Sequence, residues 1–257
     1  MQHTLCFLGT GTSSGVPILG CRCPTCVSDD PRDARLRTSA YLCMADGSRI
    51  VIDVGPDFRQ QALRHRIEHL DGILITHSHH DHIGGLDELR QLNFLMKREI
   101  DIYGNALTLR EIQTRFNYIF NTTQEGGGKP RLALHQSEPG QAFSLKGWTV
   151  HPLAVMHGAL PISGFQIEGL SYITDASSLP ADTLERIRYT PLLVVNALRY
   201  APHPTHFHLD QTLDLIREVQ PERAYLVHMT HDIKHADAQR FLPPHVAFAC
   251  DNLELQF

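Results

Sequence analysis

The sequence predicts an α/β fold of two packed mixed sheets with helices outside, as one domain over residues 1–257. Three observations carry that prediction. Short apolar runs alternate with amphipathic stretches along the whole chain, as strands interleaved with helices do. From Leu132 onward the rhythm of the first half is repeated. Several apolar runs end in His or Asp, which gathers chemistry-bearing side chains along one edge of the sheets.

Leu5–Leu8 is the opening strand. The glycine-rich turn Gly9–Gly15 follows, readable as a nest of backbone N–H groups facing an anion or as a tight turn. No Lys follows it, so it is not a nucleotide phosphate loop. Cys21-Arg-Cys23-Pro-Thr-Cys26 places three thiols in six residues, and one more ligand would complete a Cys₃His zinc site. A redox pair is the rival, and the extra cysteine weighs against it. Cys6, Cys43 and Cys250 stand singly in apolar strands, as inert thiols do. Ser39–Met44 and Arg49–Val54 form a hairpin around Asp46-Gly47. Asp53 closes its second strand and either orients a ligand histidine or serves the turn. Phe58–Ile67 reads as a helix.

The most informative stretch is Gly72-Ile-Leu-Ile-Thr-His77-Ser-His79-His80-Asp81-His82-Ile-Gly84-Gly85. A short apolar strand empties into four histidines and an aspartate. Crowded imidazoles need hydrogen-bond or metal partners when buried, and imidazole with carboxylate is the usual donor set for zinc, iron or manganese. His77 and His79 can face one ion across the turn while Asp81 and His82 face another. Gly85–Met96 then reads as a helix with a core stripe of Leu86, Leu89, Leu92 and Met96.

Ile100–Tyr103 is a strand and Leu107–Phe120 a helix. The Gly-rich 121–130 segment is a lid or a plain surface loop. Strands follow at Leu132–His135 and Trp148–Val155, the latter leading to His157, then a hairpin of Phe165–Ile167 and Leu170–Thr174 that ends at Asp175. Leu192–Asn196 is an apolar strand. His203-Pro-Thr-His206-Phe-His208 opens the helix Leu209–Val219. Ala224–Val227 ends at His228-Met-Thr-His231, and a helix from Ala236 precedes two short strands. His65, His69 and His135 fall outside these strand ends and read as surface or turn residues.

A net charge of −5 and no basic arm argue against a nucleic-acid polymer as partner. The chain shows neither a leader segment nor an apolar run able to span a bilayer, so no membrane partner is expected and the location reads as cytoplasmic. Six cysteines in that compartment are metal ligands or core fillers. A homodimer is the default assembly.

His77-x-His79-x-Asp81-His82, followed by His157, Asp175 and His228 after later strands, resembles the metallo-β-lactamase superfamily along nearly the whole chain. The resemblance implies the αββα sandwich and two divalent ions, Mn, Zn or Fe. It assigns His77, His79 and His157 to the first ion and Asp81, His82 and His228 to the second, with Asp175 bridging. The Cys21-Cys23-Cys26 trio with a histidine three residues past the last ligand is similar to the PhnP family, the phosphodiesterases that accompany carbon–phosphorus lyase in phosphonate metabolism. That likeness implies a structural zinc with His231 as fourth ligand, His235 being the alternative, and it puts His206 at the family's catalytic histidine.

Two dications about 3.5–4 Å apart share and activate a water as hydroxide. With Asp81 and Asp175 they leave a net positive centre, which suits a small anionic phosphodiester, cyclic ones included. His206 would protonate the leaving alkoxide or stabilise phosphoryl charge, with Thr205 free to cap the helix, and Asp81 would share in the catalysis. Thioester or lactone hydrolysis, tRNA processing and a non-hydrolytic accessory role in cofactor biosynthesis are the rival functions. The lack of a basic arm disfavours tRNA, and the complete ligand set disfavours a non-hydrolytic role.

Overall fold

The computed structural model describes residues 2–121 and 128–257. Residues 122–127 of the loop read as a lid lie outside that range. The first half contains β1 (Thr4–Gly9), β2 (Ser39–Cys43), β3 (Arg49–Ile52), α1 (Phe58–Arg64), β4 (Gly72–Leu74), α2 (His80–Ile83), α3 (Leu89–Met96), β5 (Ile100–Gly104), α4 (Ala106–Arg115), α5 (Asn117–Phe120) and β6 (Leu132–Gln136). The second contains β7 (Phe143–Leu145), β8 (Trp148–His157), β9 (Leu160–Ile167), β10 (Leu170–Tyr172), α6 (Ala181–Ile187), β11 (Leu192–Asn196), α7 (Leu209–Val219), β12 (Arg223–Val227), α8 (Ala238–Phe241), β13 (Val246–Phe248) and β14 (Glu254–Gln256).

The strands form two seven-stranded sheets, ordered β14-β1-β2-β3-β4-β5-β6 and β13-β12-β11-β10-β9-β8-β7. In each, an antiparallel half joins a parallel half: β3 to β6 run parallel in the first, β10 to β13 in the second. Ligand sites in such sheets form beyond the carboxyl ends of parallel strands, and these are the ends that carry the His and Asp residues.

Alternation along each strand decides the layers. Leu5, Phe7, Leu42, Ile50, Ile52 and Leu74 pack against Val150, Phe165, Ile167, Tyr172, Leu192 and Val194 of the other sheet. The opposite faces are covered by helices: α1, α3 and α4 over the first sheet, α6 and α7 over the second. The result is the four-layer αββα sandwich expected from the sequence.

Departures from the expected elements have local causes. The helix expected over Leu107–Phe120 breaks at Phe116, whose φ of −110° and ψ of 38° leave the helical region; Thr114, Phe116 and Asn117 are weak helix formers. The helix expected from Gly85 begins as a 3₁₀ turn over Leu86–Glu88. That expected over Phe58–Ile67 stops at Arg64, because Arg66 takes a left-handed φ of 50°. The short helix α6, which has one apolar residue per turn, and the three-residue strand β7 were not foreseen. The glycine run of residues 9–15 serves close packing: a Cβ on Gly9 would lie 2.1 Å from the Arg37 carbonyl, and one on Gly11 2.9 Å from the Arg35 side chain. The N–H groups of Gly11 and Gly15 are spent on Leu36 O and Thr12 O, so they do not face an anion.

Among the described residues, Arg35 is the largest fully enclosed side chain. It donates to Thr230 O (2.9 Å) and Ile233 O (2.8 Å), and Asp33 lies 3.5 Å away. Asp33 in turn accepts from the His235 N–H at 2.7 Å. Removing one member of a buried charge pair strands the other. Arg35→Ala is therefore expected to lower stability by about 3–5 kcal/mol, read as the shift of a urea denaturation curve.

Candidate metal centre

The side chains of the centre leave strand ends in both sheets. Asp53 follows β3, His77 to His82 follow β4, His157 ends β8, Asp175 follows β10 and His228 follows β12. Asp53, Asp175 and His228 have left-handed φ values of 62°, 58° and 56°. Such backbone costs about 1–2 kcal/mol per residue, and strain of this kind collects at functional sites. Here it turns each side chain off its strand axis towards the same point. Two glycines permit the approach of the loops: a Cβ on Gly55 would fall 2.1 Å from Asp81 O, and one on Gly85 2.1 Å from Gly55 O.

Two groups of donors result. His77, His79 and His157 form one; Asp81, His82, Asp175 and His228 form the other, with donor atoms in each group within 4.8 Å of one another. Asp175 Oδ2 joins them. It stands 3.8 Å from His77 Nε2, 3.5 Å from His82 Nε2, 3.2 Å from His228 Nε2 and 3.3 Å from His206 Nε2. Asp81 Oδ2 is 3.3 Å from His82 Nε2 and 3.5 Å from His228 Nε2. His80, of the same sequence cluster, is exposed and belongs to neither group.

Whether these residues fit divalent ions is decided by their protons. His82 Nδ1 donates to Asp53 Oδ2 at 2.7 Å, and His157 Nδ1 donates to Thr205 O at 2.7 Å. Thr76 Oγ1 donates to Asp53 Oδ2, so it accepts from His77 Nδ1 at 3.1 Å. Each of these rings then has its Nδ1 proton engaged and turns Nε2 towards the centre, the orientation a metal ligand needs. His82 Nε2 is buried with no hydrogen-bond partner, and His77 Nε2 lies 3.0 Å from His79 Nδ1. A cation in each group satisfies them, so the donor set fits.

The charges agree. Burial, then the neighbouring His82, pushes His77 well below the usual imidazole range, and burial lowers His79 and His157. Burial alone would raise Asp81 and Asp175, but the rings of His82 and His228 outweigh it and hold both carboxyls well below their usual range. Burial likewise opposes a charge on His82, and Asp81, Asp175 and Asp53 overcome it, so that a cation bound at Nε2 would take the place of a proton. The enclosed acids thus stay ionised among imidazoles.

Asp53 is placed as an orienter of His82, and it also accepts from the Thr76 N–H at 2.8 Å. Asn196 is a support that the sequence does not single out. Its Oδ1 accepts from Ala176 N at 2.7 Å and its Nδ2 donates to Ala176 O at 3.1 Å, which fixes the turn after Asp175. The available signal is a polar residue closing the otherwise apolar run Leu192–Asn196. Arg115, inconspicuous in the sequence, donates to Ser78 O at 2.8 Å and holds the His77–His79 loop.

His206 is enclosed but for a side-chain exposure of 11%. Thr205 Oγ1 is 3.0 Å and His203 Nδ1 3.3 Å from its Nδ1. The N-cap of α7 is His208, with Gln211 accepting from its backbone N–H, so neither Thr205 nor His206 is spent on capping.

The second cluster lies apart in composition. Cys21, Cys23 and Cys26 place Sγ atoms 3.2, 3.5 and 3.5 Å from His231 Nδ1. Zn–S near 2.3 Å and Zn–N near 2.0–2.1 Å at a tetrahedral angle give an S···N separation of about 3.5 Å. The donors fit a zinc ion. His235 is not among them; its backbone is engaged by Asp33.

Fold and donors together define a class, the αββα sandwich with a His/Asp ligand set for divalent ions where its two sheets meet. The profile of the β-lactamase superfamily domain matches residues 48–229, and the chain belongs to that superfamily. It is similar to a crystal structure of a new diphosphatase from the PhnP family, with a TM-score of 0.93 and 38% identity, covering 100% of this chain and 98% of that one. It is 40% identical over 249 residues to an octanoyltransferase of Porphyromonas gingivalis, covering 96% of this chain and 50% of that protein. The zinc-bound PqqB of Methylobacterium extorquens shares the fold at a TM-score of 0.78 and 18% identity, covering 99% of this chain and all of that one. The chain spans about half the length of the curated relatives it matches.

Asp53→Asn would turn an amide towards the His82 ring and lose its proton acceptor. Metal titration should then show one ion bound about 10–100-fold more weakly, with the other little changed.

Proposed function

We propose that the protein is a metal-dependent hydrolase of small phosphodiesters, cyclic ones included. The observation that carries this reading is the charge of the centre: only Asp81 and Asp175 are acidic among the seven grouped donors, against five imidazoles. Two dications there leave a net positive site, which suits an anionic phosphoryl group whose charge grows on reaction. Likeness to a diphosphatase at 38% identity supports phosphoryl chemistry, because a diphosphate and a phosphodiester share a disubstituted phosphate. When bound, the ions supply Lewis-acid polarisation and a lowered pKa of water.

The chain's own residues do the rest. Asp81 and Asp175 stay ionised and hold the positive charges together. Asp53, Thr205 and Thr76 keep the ligand rings in one tautomer. His206 faces the centre with Nε2. Protonated, the ring donates from Nδ1 to the Thr205 hydroxyl at 3.0 Å and carries a second proton on Nε2, which it can give to a leaving oxygen to become neutral imidazole. Burial lowers the His206 pKa and so favours release of that proton.

A second reading, hydrolysis of an acyl thioester, is favoured by the match to one half of an octanoyltransferase. A neutral thioester gains from Lewis-acid polarisation too, but it makes less use of a net positive site.

Assays on bis(p-nitrophenyl) phosphate, a 2′,3′-cyclic nucleotide and an octanoyl thioester separate the two. Phosphodiester turnover abolished by chelation is expected; turnover of the thioester alone would overturn the proposal. His206→Ala should lower kcat by about 10²–10⁴-fold with the metal content of the purified protein unchanged. Loss of metal in step with activity would make His206 a ligand instead.

A further inference from the structure

We propose a further transition-metal site, remote from both clusters above, formed by Cys6, His65 and Glu254 on the outer face of the first sheet. The three come from distant parts of the chain. Cys6 on β1 pairs directly with Glu254 on β14, and His65 caps the carboxyl end of α1 above them. One donor atom from each lies within 4.8 Å of the others.

The geometry is that of a metal ligand pair. Cys6 Sγ is 3.6 Å from His65 Nδ1, close to the roughly 3.5 Å that a tetrahedral zinc ion imposes on sulfur and nitrogen. It matches the 3.2–3.5 Å separations in the cluster of Cys21, Cys23, Cys26 and His231. The tautomer is fixed as well. Arg64 Nη1 donates to Asn252 Oδ1 at 3.2 Å, which identifies that atom as the amide oxygen. His65 Nε2, 2.9 Å from the same oxygen, must therefore be the protonated nitrogen. Nδ1 is left bare and is the nearer nitrogen to the thiol, Nε2 lying 3.9 Å from the same sulfur. A small turn of the ring would aim its lone pair at a shared ion, with the outer hydrogen bond setting the tautomer.

An open position remains for a further ligand. A cavity of about 460 Å³ lies over the cluster, with Cys6, Tyr41, Cys43, His65 and Glu254 in its wall. Cys43 shares the face of Cys6, since it pairs with Thr4 two residues away on β1. Burial, then the negative Glu254 and Cys43, pushes the Cys6 thiol up to about 12. Glu254 and Cys43 favour a dication there, against Arg49 and Arg66 in the same wall. On binding, the Cys6 S–H bond breaks, a sulfur–metal bond forms and the proton passes to solvent, so occupancy rises with pH. A sulfur, nitrogen and oxygen donor set selects a thiophilic ion such as zinc over magnesium or calcium. The ion would clamp the C-terminal strand to β1 and to the end of α1.

The test is a zinc count on the full-length protein. Wild type, Cys6→Ser and His65→Ala are saturated with zinc, passed over a desalting column and analysed by mass spectrometry against protein concentration. Wild type is expected to retain one zinc more per chain than either variant, and added zinc should raise its Tm by a step that both variants lack. His65 is half-buried at a helix end, so its variant remains informative should Cys6→Ser fold poorly. Equal zinc counts in wild type and His65→Ala would overturn the site, as would a variant Tm that rises with zinc as the wild type's does.

Discussion

One carboxylate oxygen holds the centre together. Asp175 Oδ2 lies within 3.2–3.8 Å of the Nε2 atoms of His77, His82, His206 and His228. A buried charge is tolerated only when its surroundings compensate it, so the packing of four rings around this atom constrains everything else. His77 comes from the loop after β4 in one sheet, while His206, His228 and Asp175 itself come from the other. Neither sheet could form the site alone. The inter-sheet core of Phe7, Ile52, Phe165 and Tyr172 is what brings the two edges into register.

The cysteine cluster belongs to the same mechanical unit. His228 and His231 leave β12 three residues apart, one facing the centre and one facing the thiols. Between them Met229 N–H donates to Thr10 O, and Thr230 O accepts from the enclosed Arg35. An ion among Cys21, Cys23, Cys26 and His231 therefore fixes the loop from which His228 projects. An ion there would act by holding a ligand in place rather than by touching substrate.

Much of this was legible in the sequence because strand ends are legible. The apolar run before His77, the lone His157 and the acidic end at Asp175 each mark where a strand meets solvent or site, and the structure brings these residues together. Pairing of the Cys21–Cys26 thiols with His231 rather than His235 was not legible from spacing alone; it depends on Asp33 and Arg35 holding the intervening loop. Asn196 was missed because it acts through two backbone contacts at Ala176, and no local pattern announces a bond across twenty residues. Cys6, read as an inert thiol, is buried and free in the structure. His65 and Glu254 reach it only after β14 has closed the sheet.

The donor set alone does not choose between phosphoryl and acyl substrates, since the fold hosts proteins bearing both kinds of name. What discriminates is the surroundings of Asp175 Oδ2 that are not needed for metal. His206 is enclosed at a cost, its charge disfavoured first by burial and also by His228 and His203, while Asp175 at its Nε2 favours it. Thr205 spends its carbonyl on His157 and places its hydroxyl beside His206. This ring is spent neither on capping α7, whose N-cap is His208, nor on orienting His157, which Thr205 O holds. A positioned proton donor beside a positive centre is most useful where a poor leaving group departs as an alkoxide, as it does from a phosphodiester. A thiolate leaves without such help, so the placement of His206 argues for the ester of phosphorus over the ester of sulfur.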